Sequence, residues 1–339
     1  MRPFAFVRGE STEQAILAAA GGQQQAPAVQ AQGQFLAGGT TLVDLMKLDV
    51  MRPHKLVDIN PLQERLGSIE ADDRGLRLGS LVRMAQAADH DSIKRDYPVI
   101  AQSLHLAASQ QIRNMASLGG NVLQRTRCPY FRDVSWAACN KRNAGSGCAA
   151  LGGESRRHAI LGTSEDCIAT YPGDFAQALM ALDAQVDIGG PNGRRSLAFA
   201  DLHRSPANSP QVETQLAPGE LILGFSVPAG PWTRRSLYLK IRDRESYEFA
   251  LASAAVALHL EGGVVREARI ALGGVATVPW RAREAEATLK DQRLDEQAAT
   301  HAADLAFADA RTTEHNAYKV PLGKQTLVRA LLEAGRMEI

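Results

Sequence analysis

All four cysteines of the chain lie between residues 128 and 167, at the spacing C-x10-C-x8-C-x18-C, and there are none elsewhere. A segment that gathers every thiol has to fold around whatever uses them. Two disulfides would require an oxidising compartment, and a chain of 339 residues buries a sizeable core without such help. A structural zinc site usually opens with a short C-x2–4-C knuckle, and none is present. An iron–sulfur cluster also takes four thiolates and tolerates wider spacing, because the cluster organises the loop around it. Arg125, Arg127, Lys141 and Arg142 flank the first two cysteines, where cations favour thiolates. Pro129 directly follows Cys128, the Cys-Pro pair of ferredoxin-type ligand runs. Gly145, Gly147, Gly152 and Gly153 are expected to let backbone approach the cluster closely. These neighbours favour iron–sulfur, with zinc and disulfides left open. The loose G-x-G-x-x-A match in "GSGCAA" is rejected as a dinucleotide fingerprint, since the polar "CNKRNA" before it is no strand.

Composition serves mainly to exclude. A net charge of +1, with no basic patch laced with aromatics, argues against nucleic acid as a partner. No apolar run is long enough to span a bilayer. Arg8, Glu10 and Glu13 stand where a signal peptide needs an apolar core, and the Arg-Arg pairs at 156, 194 and 234 are internal. The expectation is a chain without an export address of its own. The histidines form no H-x-x-H or H-E-x-x-H pattern, and no G-x-S-x-G elbow occurs, so hydrolytic machinery is not visible. Lone histidines such as His158 and His203 are expected at the surface or at caps.

Along the chain, residues 2–7 alternate as a strand. Ser11 and Gln14 form a capping box for a helix ending at Gly21-Gly22, and a polar loop follows. "FLAGGTTLVDLMKL" gives a strand, a Gly-Gly turn and a helix from about Thr41, a joint that presents free amides to an anion. "HKLVDI" and "GLRLGSLV" read as strands and "YPVIAQSLHLAAS" as a helix. "IRNMASLGGNV" supplies a second glycine turn suited to phosphate. In "TYPGDFAQALMALDAQV", Asp174 stands at a helix start, where its plain role is an N-terminal cap. From about residue 219, "ELILGFSVP", "RRSLYLKIRD", "ALASAAVALHLEGG" and "VVREARIALGGVA" predict a small antiparallel sheet, followed by helices. A Pro/Gly linker near Pro228–Pro231 marks the expected boundary. Two glycine turns far apart in sequence point to one dinucleotide held from two sides.

Taken together, "FLAGGTTLVDLMKL", "IRNMASLGGNVL", "TYPGDFAQALMALDA", "YLKIRDRESYEFALASAAVAL" and "IALGGVATVPWRAREAE" resemble the FAD-binding medium subunit of the molybdenum hydroxylases, the xanthine dehydrogenase and carbon monoxide dehydrogenase family. The match runs essentially end to end. Most relatives pass almost directly from the G-G-N turn to the "YPGDFA" motif. The expanded segment 123–168, carried by "QRTRCPYF", "CNKR" and "GSGCAALGG", resembles the periplasmic aldehyde oxidoreductase branch of that family, whose flavin subunit holds an additional [4Fe-4S] cluster.

The resemblance implies an α+β chain. A two-part FAD-binding domain of the PCMH/vanillyl-alcohol-oxidase type would cover residues 1–55 and 56–227, with the four-cysteine insertion at 123–168. A C-terminal α+β domain of the CO-dehydrogenase flavoprotein type would cover 228–339. It implies that Leu36, Ala37, Gly38, Gly39, Thr40, Thr41 and Leu42 bind the FAD pyrophosphate, with Ser117, Gly120 and Asn121 as a second phosphate-side loop. Asp174 would hydrogen-bond the flavin nucleotide, Ile222 would lie against the adenine or ring system, and Lys240 would approach the isoalloxazine. Tyr247 would be a flavin-side aromatic or a packing residue. Cys128, Cys139, Cys148 and Cys167 would ligate the [4Fe-4S] cluster. The implied partners are a molybdenum-cofactor large subunit, a [2Fe-2S] small subunit and an external electron acceptor. The implied location is periplasmic, by co-export with a signal-bearing partner, with the cytoplasm as the alternative. Two other functions compete: a scaffold with a zinc or iron–sulfur staple and no redox role, and a stand-alone flavin oxidase, for which no base can be named.

Overall fold

A computed structural model describes residues 1–20 and 26–339. The first sheet is parallel, β1 (Ala5–Arg8) and β2 (Gly33–Leu36) flanking β3 (Lys55–Asp58). Parallel neighbours need crossovers, which the helices Thr12–Ala20 and Leu42–Lys47 help to supply. Ala15, Ile16 and Ala19 recur at helical spacing and bury against Val57, Ile59 and Leu62. Ser11 Oγ accepts from the Gln14 amide at 3.1 Å, while Gln14 Oε1 accepts from the Glu10 amide at 2.9 Å. The return bond of the expected capping box is thus one residue early. The expected stop at Gly21-Gly22 lies outside the described residues.

The second sheet is antiparallel in the order β4 (Ile69–Asp72), β5 (Gly75–Gly79), β8 (Leu221–Pro228), β6 (Gln185–Gly190), β7 (Gly193–Ala198). β8 is therefore the centre of this sheet, not the opening strand of a C-terminal one as "ELILGFSVP" was expected to be. Alternation reveals a strand but not its partners. The helices Pro98–His105 and Phe175–Ala181 cover the sheet through Ile100, Leu104, Phe175 and Leu179, packed with Leu76, Leu78, Ile188 and Phe225.

The third sheet runs β12 (Trp280–Arg281), β11 (Val264–Gly273), β10 (Ala252–Glu261), β9 (Ser236–Ile241), all antiparallel. Gly262 and Gly263 join β10 to β11 with φ of +57° and +83°, the left-handed pair that a two-residue hairpin demands. β10 is buried on both faces. Ala254, Val256 and Leu258 pack under the helices Glu296–Ala306 and Lys319–Gly335, while Ala255 and Ala257 join the core of the second sheet. The small side chains on that second face let the Pro98–His105 and Phe175–Ala181 helices approach, which ties the C-terminal sheet to the rest of the molecule. No described helix is long and apolar enough to cross a membrane.

Candidate flavin groove and cysteine centre

β2 ends at Leu36, and the chain turns through Ala37–Thr41 into the Leu42–Lys47 helix. Two glycines make that turn possible. A Cβ on Gly38 would stand 1.9 Å from Met115 O, and Gly39 has φ +71°. The Val43 amide bonds back to Gly39 O at 2.9 Å, whereas the amides of Gly39, Thr40, Thr41 and Leu42 meet no acceptor among the described residues. Four consecutive unspent donors form a nest for an anion. They face a cavity of about 210 Å³ lined by Ala37, Gly38, Gly39, Thr40, Thr41 and Leu42 on one side, and by Ser117, Gly119, Gly120, Val122 and Ile222 on others. Thr277 and Val278, beyond β11, contribute the wall from the C-terminal part.

The second glycine stretch differs from its expected form. Residues Leu118–Val122 are helical, with Ser117 as the cap, its Oγ accepting from the Gly120 amide at 3.2 Å. The Gly119 amide goes to Ser80 O at 2.8 Å and the Asn121 amide to Ser117 O at 2.8 Å. The amides are spent within the protein, so what the segment offers the groove is low bulk and the Ser117 hydroxyl. Asn121 does not line the groove. Its Nδ2 contacts the Met84 sulfur at 3.3 Å, and its Oδ1 is buried without a partner among the described residues. Leu36 packs with Leu42 and Leu45 behind the loop.

Asp174 and Lys240 find each other. Lys240 Nζ donates to Asp174 Oδ2 at 2.8 Å and to Leu106 O at 3.0 Å, and Tyr238 OH donates to Asp174 Oδ1 at 2.6 Å. Both ionic side chains are at most 5% exposed, and neither lines the groove. Asp174 does precede the Phe175–Ala181 helix, but its side chain makes no capping bond, contrary to its plain sequence role. A carboxylate already committed to Lys240 and Tyr238 has no lone pair aimed at the helix amides. Tyr247 is 56% exposed with φ +55° and is not a groove residue.

The cysteines, scattered over 40 positions, converge. Cys128 directly precedes the short Pro129–Arg132 helix, Cys139 and Cys148 face each other in an antiparallel bridge, and Cys167 sits in a turn bridged to Ser164. All four line one small cavity with Phe131, Asn140, Lys141 and Ala169, and all four are free thiols. Among the described residues, no group of three or more His, Cys, Asp or Glu is gathered to hold a single metal ion. Burial pushes the Cys128 thiol up to about 12, against the pull of the Phe131 and Tyr130 amides. It pushes Cys167 up to about 11, with Lys141 acting the other way.

The flanking cations therefore do not depress these two thiols as expected. Arg127 and Arg132 reach Asp44 at 3.2 and 2.7 Å, and Arg125 grips Glu213 at 2.6 Å. Arg142 is tied to the carbonyls of Asp133 and Trp136. The expected glycines do not line the thiol cavity either. Gly145 and Gly147 shape a turn at φ +79° and +90°, and Gly153 is required because a Cβ would meet Tyr130 OH at 2.2 Å.

Several residues have roles that were not visible in the sequence. Lys141 and Ala169 line both the groove and the thiol cavity, so the two share a wall. Asp44, on the helix that follows the amide nest, anchors the cysteine insertion through Arg127 and Arg132. Burial opposes the charge on Glu213, yet Arg125 and Lys141 outweigh it and hold its carboxyl below the usual range. His203 lines the groove, donates from Nε2 to Val122 O at 2.9 Å, and is pushed down to about 4 by burial. His158 is 3% exposed, with Nε2 at 3.1 Å from Cys128 Sγ. Neither histidine is the surface or capping residue expected. Spacing alone could not reveal them, because each meets its partner across 30 or more positions.

The groove and the thiol cavity are both built from the segments that carry the family resemblance. Residues 2–230 match the family of the FAD binding domain in molybdopterin dehydrogenase, and residues 237–334 match the CO dehydrogenase flavoprotein C-terminal domain. The chain belongs to the FAD-binding medium subunits of the molybdenum hydroxylases. It is 45% identical over 98% of its length, and 99% of the other's, to the aldehyde oxidoreductase FAD-binding subunit PaoB of Escherichia coli K12. It is 28% identical to the carbon monoxide dehydrogenase medium chain of Afipia carboxidovorans, over 80% of this chain and 77% of that one. Reconstituted CO dehydrogenase from Oligotropha carboxidovorans shares the fold at a TM-score of 0.75 and 23% identity, covering 99% of both chains. The architecture is accordingly a FAD-binding domain followed by a flavoprotein C-terminal domain, in a subunit of an oxidoreductase.

Proposed function

We propose that this chain is the FAD-binding electron-transfer subunit of a heterotrimeric molybdenum-containing aldehyde oxidoreductase, with an additional [4Fe-4S] cluster on Cys128, Cys139, Cys148 and Cys167. The observation that carries the proposal is the shared wall: four thiols around one cavity, separated from the anion-binding groove by Lys141 and Ala169. Thiols spread around a cavity suit a polynuclear body, whereas one tetrahedral zinc draws its ligands to about 2.3 Å from a single point. The likeness to PaoB supports aldehydes as the substrate class.

The groove residues fit a dinucleotide. The free amides of Gly39–Leu42 would take the pyrophosphate, Ser117 would add a hydroxyl, and Ile222 would pack an apolar face. Leu36, Asn121, Asp174 and Lys240 would act from behind, by holding the walls. Flavin supplies the exchange between one- and two-electron carriers. This chain's own part is to bind, orient and set charge, for which the groove supplies the free amides, the Ser117 hydroxyl and the charged pair Lys141 and Glu213 on its wall. Residues 1–55, 56–227 and 228–339 would form the two flavin-binding parts and the C-terminal domain. Electrons would arrive from a [2Fe-2S] partner, leave for an external acceptor, and the assembly would be periplasmic by co-export with a signal-bearing partner.

The test is stopped-flow absorbance under anaerobic conditions. Flavin bleaching by an aromatic or aliphatic aldehyde is expected only when the molybdenum and [2Fe-2S] chains are present. Bleaching of this chain alone would favour a stand-alone oxidase, and no bleaching in a molybdenum-loaded assembly would overturn the electron-transfer role.

A further inference from the structure

Among the described residues, His158 is the one side chain within hydrogen-bonding distance of a cysteine sulfur, with Nε2 at 3.1 Å from Cys128 Sγ. It is 3% exposed, and its Nδ1 is buried with no partner among the described residues. The ring sits in a firmly held loop. Its own amide bonds to Ser155 O at 2.9 Å, and Ser155 Oγ meets Thr313 Oγ1 at 2.6 Å. On the other side, Asn316 Nδ2 donates to Ala159 O at 3.2 Å, and the Arg311 amide donates to Ile160 O at 2.7 Å. Tyr318 OH donates to Arg156 O at 3.0 Å. The segment that precedes and opens the last helix thus fixes the imidazole against Cys128.

We infer that His158 is a positioning residue for the cluster, donating a hydrogen bond from Nε2–H to the Cys128 thiolate and raising the cluster's reduction potential. The inference rests on the cluster assigned above. A ligating cysteine is a thiolate, which only accepts, so the proton of the pair lies on Nε2. Hydrogen bonds to ligand sulfur stabilise the more negative reduced cluster over the oxidised one. The same bond links the C-terminal part of the chain to the redox centre, since residues 311–318 hold the loop that carries it.

The experiment compares anaerobically purified assembly of wild type, His158→Gln and His158→Leu by iron and sulfide content and by redox titration followed with low-temperature electron paramagnetic resonance. Leucine is expected to move the cluster to a more negative potential with iron and sulfide retained, and glutamine, which keeps an N–H donor, to stay near wild type. An unchanged potential in the leucine variant overturns the inference. Selective 15N-histidine labelling of wild type gives a second readout that needs no variant to survive. A weak 15N coupling to the reduced cluster is expected, and its absence overturns the hydrogen bond even if the leucine variant loses its cluster. Wild type without iron or sulfide would overturn the cluster itself, a result distinct from a loaded cluster indifferent to His158.

Discussion

At the residue scale, the decisive positions are those where one atom more or one charge fewer has nowhere to go. Gly38→Ala would drive a Cβ to 1.9 Å from Met115 O, so the nest must shift. A stability loss of about 1–3 kcal/mol is expected from the forced backbone movement, together with loss of retained flavin, read from the flavin-to-protein ratio and a urea midpoint. Lys240→Met would leave Asp174 buried with only Tyr238 for company. That change is expected to cost about 3–5 kcal/mol, as for other broken buried pairs. Flavin loss without destabilisation would instead place Lys240 at the cofactor. His203 gives a pH signature. Its folded value is about 4, below the ordinary 6.5, so the unfolded chain binds more protons between those values and stability falls as pH drops through that window. Replacement by Gln should flatten the dependence of the denaturation midpoint between about pH 4 and 6.5, and an unaltered slope would remove His203 from the account.

At the scale of elements, the insertion is held by charge as well as by apolar packing. Asp44 meets Arg132 at 2.7 and 3.1 Å and Arg127 at 3.2 Å, and Arg132 first among these holds its carboxyl below the usual range. These groups are partly exposed, so Asp44→Asn should cost only about 1 kcal/mol in global stability. Its larger effect is expected locally, as faster proteolysis within 123–168 and lower iron retention, and equal proteolysis rates would contradict the anchoring role. Local sequence patterns revealed many of these elements because each rests on its own local signal: the helix from about Thr41, the strands on either side of Gly262-Gly263, the helices after the last sheet. What they could not reveal was partnership. β8 looked like the start of a C-terminal sheet, yet it pairs with β5 and β6. "SLGGN" looked like a loop, yet Ser117 caps it into a helix.

At the scale of the whole molecule, both candidate centres are made by long-range convergence. The groove draws on β2, the Leu118–Val122 helix, β8 and the turn after β11, and the thiol cavity shares its wall at Lys141 and Ala169. The clustered cysteines and paired glycines were legible because chemistry forces those residue types. The supporting groups, Asp44, Glu213, His158 and His203, are ordinary polar residues until the fold brings them to their partners. The most direct test is the content of iron, zinc, acid-labile sulfide and FAD per chain in anaerobically purified protein. Roughly four iron, four sulfide and one flavin per chain are expected, with no zinc. Zinc in place of iron and sulfide would make the insertion a structural staple, and folded protein with neither metal nor flavin would contradict the account.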